Sequence, residues 1–145
     1  MKGGFGETFC DRELQVLISE KLPSLLLTVE DTSFLEKDLE ADKKKYAQTG
    51  ELLLLDPSGE AVLTDHLEKL RVRGNLTATL DKKPYTFTLS KEASVCGMTP
   101  ARKWNLIANA TDGSYMRNKI VLDLANRAVG AEGYEPDGEF VELFM

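Results

Sequence analysis

The sequence predicts an α+β fold, a mainly antiparallel sheet with one long helix packed on it. Three observations point there. Short apolar or alternating runs recur at 24–29, 52–55, 61–63, 85–89, 104–108 and 140–144, each bounded by Gly, Pro, Asp or Ser. The turn Asp56-Pro57-Ser58-Gly59 joins two of these runs as a hairpin, with Pro pre-setting φ and Gly closing the turn. One stretch carries a helical period instead: Met116, Ile120 and Leu124 recur four apart, with Val121, Ala125 and Ala128 beside them. At 145 residues the chain makes a single domain, 1–145, long enough to bury a core.

Residues 1–12 hold three glycines before Asp11 and few apolar anchors, so a loose start is expected. Residues 13–18 form a short strand candidate, ended by Pro23, which drives Leu22 to extended geometry. Residues 24–29 read as a buried strand. Asp31-Thr32-Ser33 can cap a charged surface helix over 35–47, with Leu35, Leu39 and Tyr46 on one face. After the hairpin, Leu67-Glu68-Lys69-Leu70-Arg71-Val72-Arg73 alternates as a half-exposed strand. His66, between Asp65 and Glu68, reads as an exposed turn or helix start. Residues 76–81 read as a loop. A strand over 82–89 follows, with Tyr85, Phe87 and Leu89 on one face and Thr86 and Thr88 on the other. A polar connection covers 90–94, then a bend at Gly97-Met98-Thr99-Pro100 leads to the strand at Trp104. Asp112 or Ser114 caps the helix over about 115–129, Gly130 ends it, and the last strand covers 140–144.

The hydrophobic fraction of 42% and charged fraction of 29% are those of an ordinary globular chain. A net charge of −6 argues against a broad nucleic-acid surface, so an anionic ligand must meet a local basic cluster. Cys10 and Cys96 stand in no metal-ligand spacing and read as free thiols, with a lone disulfide as the alternative. His66 is the only histidine. No apolar run is long enough to span a membrane, and residues 1–6 lack the apolar core of a signal peptide.

The residues suited to chemistry are basic and amide side chains at element boundaries. Arg73-Gly74-Asn75 brings two donors to a glycine that permits close backbone approach, as phosphate oxygens require; an ordinary Gly-Asn turn is the alternative. Lys82 and Lys83 precede Tyr85, where a lysine can reach phosphates as a point charge; a solvated pair is the alternative. Arg102-Lys103 adds charge before Trp104, which reads as a core anchor. Arg117, Asn118 and Lys119 open the helix, where cations oppose the macrodipole; a bound anion or pairing with Asp112 or Asp123 would offset that. Glu142 is a candidate partner for a strand lysine. Nothing in these residues forms a self-evident catalytic set.

Their order resembles the CotH kinase family, named after spore coat protein H. The words are Arg73-Gly74-Asn75, Lys82-Lys83-Pro84-Tyr85, Gly97-Met98, residues 103–109 (Lys-Trp-Asn-Leu-Ile-Ala-Asn), Arg117-Asn118-Lys119 and Val141-Glu142-Leu143, with residues 22–29 similar to the family's first strand. The resemblance implies the N-terminal lobe of an atypical kinase, using ATP and Mg²⁺ to phosphorylate Ser or Thr of a protein substrate such as a coat or surface protein. It implies Arg73, Asn75, Lys83, Arg117 and Asn118 as nucleotide contacts. The metal-binding and catalytic acidic residues are expected beyond Met145, making 1–145 an incomplete domain without catalytic residues of its own. A spore-coat or exported location is implied, with no choice between them. One stretch departs from the pattern: at 76–81 only Thr77 fits, and the family's aromatic and Tyr-Pro are replaced by Ala78 and Leu80-Asp81. If that aromatic packs on a nucleotide base in the family, this loop lacks the contact. A non-catalytic binding or structural module is the alternative, and a phosphate- or sugar-binding surface domain is a third.

Overall fold

Six strands lie in the order β5-β4-β3-β2-β1-β6 in the computed structural model, which describes residues 19–32, 47–129 and 137–145. They are β1 (Ser24–Val29), β2 (Gln48–Leu55), β3 (Ala61–Val72), β4 (Tyr85–Ala93), β5 (Ala101–Leu106) and β6 (Glu142–Phe144). The first five pair antiparallel, and β6 runs parallel to β1 at the edge. One helix, α1 (Arg117–Val129), and a 3₁₀ turn (Leu76–Thr79) complete the described elements. The fold is thus α+β with an antiparallel-dominant sheet. The expected strand at 13–18, most of the charged helix at 35–47 and the C-cap at Gly130 fall outside the described residues.

One sheet face holds the core. Leu25, Leu27, Leu52, Leu54, Leu67, Leu70, Phe87 and Leu89 are each at most 2% exposed. Alternation places them there: every second residue of a strand points to the same side. The hairpin forms at the expected turn, with Asp56 Oδ1 accepting from the amides of Ser58 and Glu60.

The runs at 61–63 and 67–73 are one continuous strand rather than two. His66 therefore sits mid-strand, opposite Glu51, with its Nδ1 2.9 Å from Glu51 Oε1. A bulge between Leu67 and Lys69 explains the misreading. It exposes both Glu68 and Lys69, so the buried positions shift from 65 and 67 to 70 and 72. Asp65 consequently faces inward, 8% exposed. Burial alone would raise its pKa. Hydrogen bonds from Ser90 Oγ and the His66 and Lys91 amides, with the charge of Lys91, outweigh that and hold the carboxyl below its ordinary value.

Three other expectations are corrected. Strand β4 begins at Tyr85 and continues through 90–93, because β4 pairs Ala93 with Ala101 past an irregularity after Thr88. Lys82 and Lys83 thus precede the strand. Residues 76–79 form a 3₁₀ turn rather than open loop, with Ala78 buried beneath it. The apolar stripe of α1 is not core: Met116, Ile120, Val121 and Leu124 are 46–63% exposed. The helix is held from its other side. Leu122 packs directly over Gly138, and Lys119 Nζ bridges Asp123 Oδ1 (2.8 Å) and Glu139 Oε1 (3.2 Å). Among the described residues no helix is long and apolar enough to cross a membrane.

Candidate functional site

The bulge in β3 sets the site. Beyond it, Leu70 and Val72 turn into the core while Lys69, Arg71 and Arg73 share the opposite face. Across the ladder, Arg71 stands beside Thr86 and then Asn105, and Lys69 beside Thr88 and then Lys103. These two rows floor a pair of adjoining concavities. The outer, of about 460 Å³, is lined by Arg71, Arg73, Gly74, Asn75, Thr86, Lys103 and Asn105, with the backbone of Val72. The inner, of about 160 Å³, is lined by Lys69, Arg71, Thr86, Thr88 and Lys103.

Among the described residues no carboxylate lines either concavity. Among the described residues no ion pair reaches Lys69, Arg71, Arg73 or Lys103. The neighbouring Arg102 differs, since its guanidinium is neutralised by Glu68 at 2.7 Å. Below the cations the floor is fixed: Thr86 is 5% exposed and its hydroxyl donates to Asn105 Oδ1 at 2.9 Å. Gly74 turns the chain away from β3 with φ +83°, a left-handed conformation suited to glycine. Arg73 N donates to Pro84 O at 3.0 Å, which ties the rim to the start of β4.

Of the residues read from the sequence, Arg73 and Asn75 line the groove. Lys83 does not reach out from a strand. Its ammonium donates to Ala78 O (3.2 Å) and Leu80 O (3.1 Å), closing the end of the 3₁₀ turn. Arg117 lies at the helix start, where its Nε is 3.5 Å from Asp112 Oδ1. Asp112 serves the first helical amide from five residues upstream. Its Oδ2 accepts from Arg117 N at 3.0 Å, and that hydrogen bond and those of Ser114 hold its pKa below the ordinary value. Asn118 donates to Asn109 Oδ1 at 2.5 Å. Asp112 thus offers a partner to the cation at this helix end. Lys82 lies 4.5 Å from the centre of the Tyr115 ring. Glu142 does not pair with a strand lysine; its Oε2 accepts from Ser19 N. Trp104 packs against the core, and its Nε1 donates to Ala101 O.

Lys83, Arg117 and Asn118 nonetheless stand at the same end of the sheet as Arg73 and Asn75, since Val72, Tyr85 and Leu106 are in register there. The sequence reading missed Lys69 and Arg71 as site residues. The signal was present in the spacing of Lys69, Arg71 and Arg73, two apart on an alternating strand.

The fold and this surface define an α+β domain with a cluster of cations beside hydroxyl and amide groups on one sheet face. A family model described as CotH kinase protein matches residues 70–145, just over half of the sequence, and the chain belongs to that family. The matched region begins within β3, at Leu70, and contains most of the groove. No curated protein and no solved structure gives a significant match.

Proposed function

We propose that this chain is the nucleotide-phosphate-binding part of a kinase resembling an N-terminal lobe, which holds ATP while its γ-phosphate passes to Ser or Thr of a protein substrate. The observation that carries this reading is the cluster of Arg71, Arg73 and Lys103 beside Asn75, a groove in which the described residues supply no carboxylate and no ion pair to these cations. Guanidinium and ammonium donors above fixed hydroxyl and amide groups suit phosphate oxygens. Arg73 and Asn75 are the rim contacts. Lys83, Arg117 and Asn118 form a second set that a ligand extending past the sheet end would meet.

Magnesium is less well served. Phosphoryl transfer needs carboxylates that hold the metal. Among the described residues no three His, Cys, Asp or Glu side chains come together in a way that could hold one. No transfer step is therefore assigned to these residues. The stretch 76–81, which departs from the CotH pattern, favours a second reading, a phosphate-binding module without catalysis of its own.

Calorimetry with ATP, with and without Mg²⁺, tests the first part, and transfer of labelled phosphate to a protein acceptor tests the second. Binding that weakens about tenfold in Arg73→Ala supports the phosphate site, since a charge-assisted contact contributes about 1.5–3 kcal/mol. Binding without transfer leaves the module reading. Absence of ATP binding contradicts both.

A further inference from the structure

The groove is long and cationic, and almost all the residues that line it are charged or polar. Lys69 and Arg71 on β3 and Arg73 just past its end lie two residues apart, so the row spans about 13 Å at the usual strand rise. Lys103 stands two strands away from Lys69, at about 10 Å. Among the described residues the only apolar one along either concavity is Val72, whose side chain is in the core at 2% exposed. The adjoining turn offers no ring to stack on a base: its one buried side chain is Ala78, and Leu76 faces solvent at 75% exposed. Cations fixed on one sheet face repel one another when no counter-charge is bound. What would relieve that repulsion along the whole row is a linear polyanion.

We infer that the open face is a phosphate-chain site, which recognises a linear triphosphate by its charge and does not select the base attached to it. The outer concavity holds one end of the chain at Arg73 and Asn75, and the inner concavity holds the other between Lys69 and Lys103. This deepens the proposed function and rests on its phosphate reading. The ligand chemistry is a triphosphate, whether carried by a nucleoside or free as inorganic tripolyphosphate.

The test is calorimetry on the full chain at one fixed ionic strength, with ATP, GTP, inorganic tripolyphosphate and AMP as separate titrants. Expected are dissociation constants for the first three within about threefold of each other, and AMP weaker by about tenfold or more, since each lost charged contact is a factor of that order. Lys69→Ala should weaken ATP and tripolyphosphate alike, by about tenfold. Its melting temperature should match the parent's, because Lys69 is exposed and no ion pair reaches it among the described residues. ATP binding without tripolyphosphate binding, or AMP binding as tightly as ATP, overturns the inference and leaves the nucleotide reading standing. Loss of ATP affinity in Lys69→Ala with tripolyphosphate affinity retained overturns it equally. Failure of all four to bind removes the phosphate reading itself, and the inference with it.

Discussion

Gly74→Ala combines two costs that the structure allows to be separated. The first is conformational. Gly74 has φ +83°, and an L side chain in the left-handed region costs about 1–2 kcal/mol. The second is steric. A Cβ on Gly74 would stand 2.0 Å from Thr77 Oγ1, far inside contact distance, and 3.4 Å from Thr77 Cβ. Thr77 is exposed, so its χ1 can rotate away, at a cost of about 0.5–1.5 kcal/mol if it is left off its preferred rotamer. Gly97 supplies the control. Its φ of +77° is nearly the same, yet an added Cβ there meets nothing within 4 Å. Gly97→Ala should therefore cost about 1–2 kcal/mol, and Gly74→Ala about 0.5–1.5 kcal/mol more. Urea unfolding measures both. Repeating Gly74→Ala in a Thr77→Ala background should bring its cost down to that of Gly97→Ala. Equal costs for the two glycines, or no change in the Thr77→Ala background, would refute the steric half of the reasoning.

Three further outcomes are expected. Phe87 is 1% exposed between β3 and β5, so Phe87→Ala should lose about 3–5 kcal/mol by chemical unfolding. The pKa of Asp65 is depressed in the fold, so its stabilisation is present above the unfolded value and lost as pH falls through the folded one. Asp65→Ala should thus cost about 1–3 kcal/mol at pH 7, and that cost should shrink steadily as unfolding is measured from pH 5 down to pH 2. Lys119 is raised, first by its hydrogen bond to Asp123 and then, after an opposing desolvation, by Glu139. Its contribution is present below the unfolded pKa near 10.5 and lost above it. Lys119→Ala should cost no more than about 1 kcal/mol, because the bridge is near the surface, but should speed amide exchange in α1 and residues 137–141.

The strands facing the core were legible because one-sided burial imposes a period of two, as in Tyr85, Phe87 and Leu89. The edges of that pattern were not. β3 reads as two runs because Thr64, Asp65 and His66 are polar and the bulge at Leu67–Lys69 reverses the phase. Only the neighbouring strands determine that the backbone continues through both. The helix was found from its four-residue spacing, but that spacing says nothing about what covers the stripe, and Ile120 and Leu124 remain exposed. Half of the site was legible for a similar reason. Arg73 and Asn75 stand out beside Gly74, whereas Lys69 and Arg71 join them only once the bulge puts all three cations on one face. Lys83 looked like a strand lysine because nothing local reveals that the carbonyls of Ala78 and Leu80 take its ammonium.

The most direct test of the central claim is a nuclear magnetic resonance titration of the labelled chain with ATP, followed at backbone amides and at arginine and lysine side chains. The account predicts saturable shifts at Lys69, Arg71, Arg73, Asn75, Thr86, Thr88, Lys103 and Asn105, with little change along the core side of β1 and β2. Shifts confined to the α1 start, or no saturable shift on the open face, would contradict it.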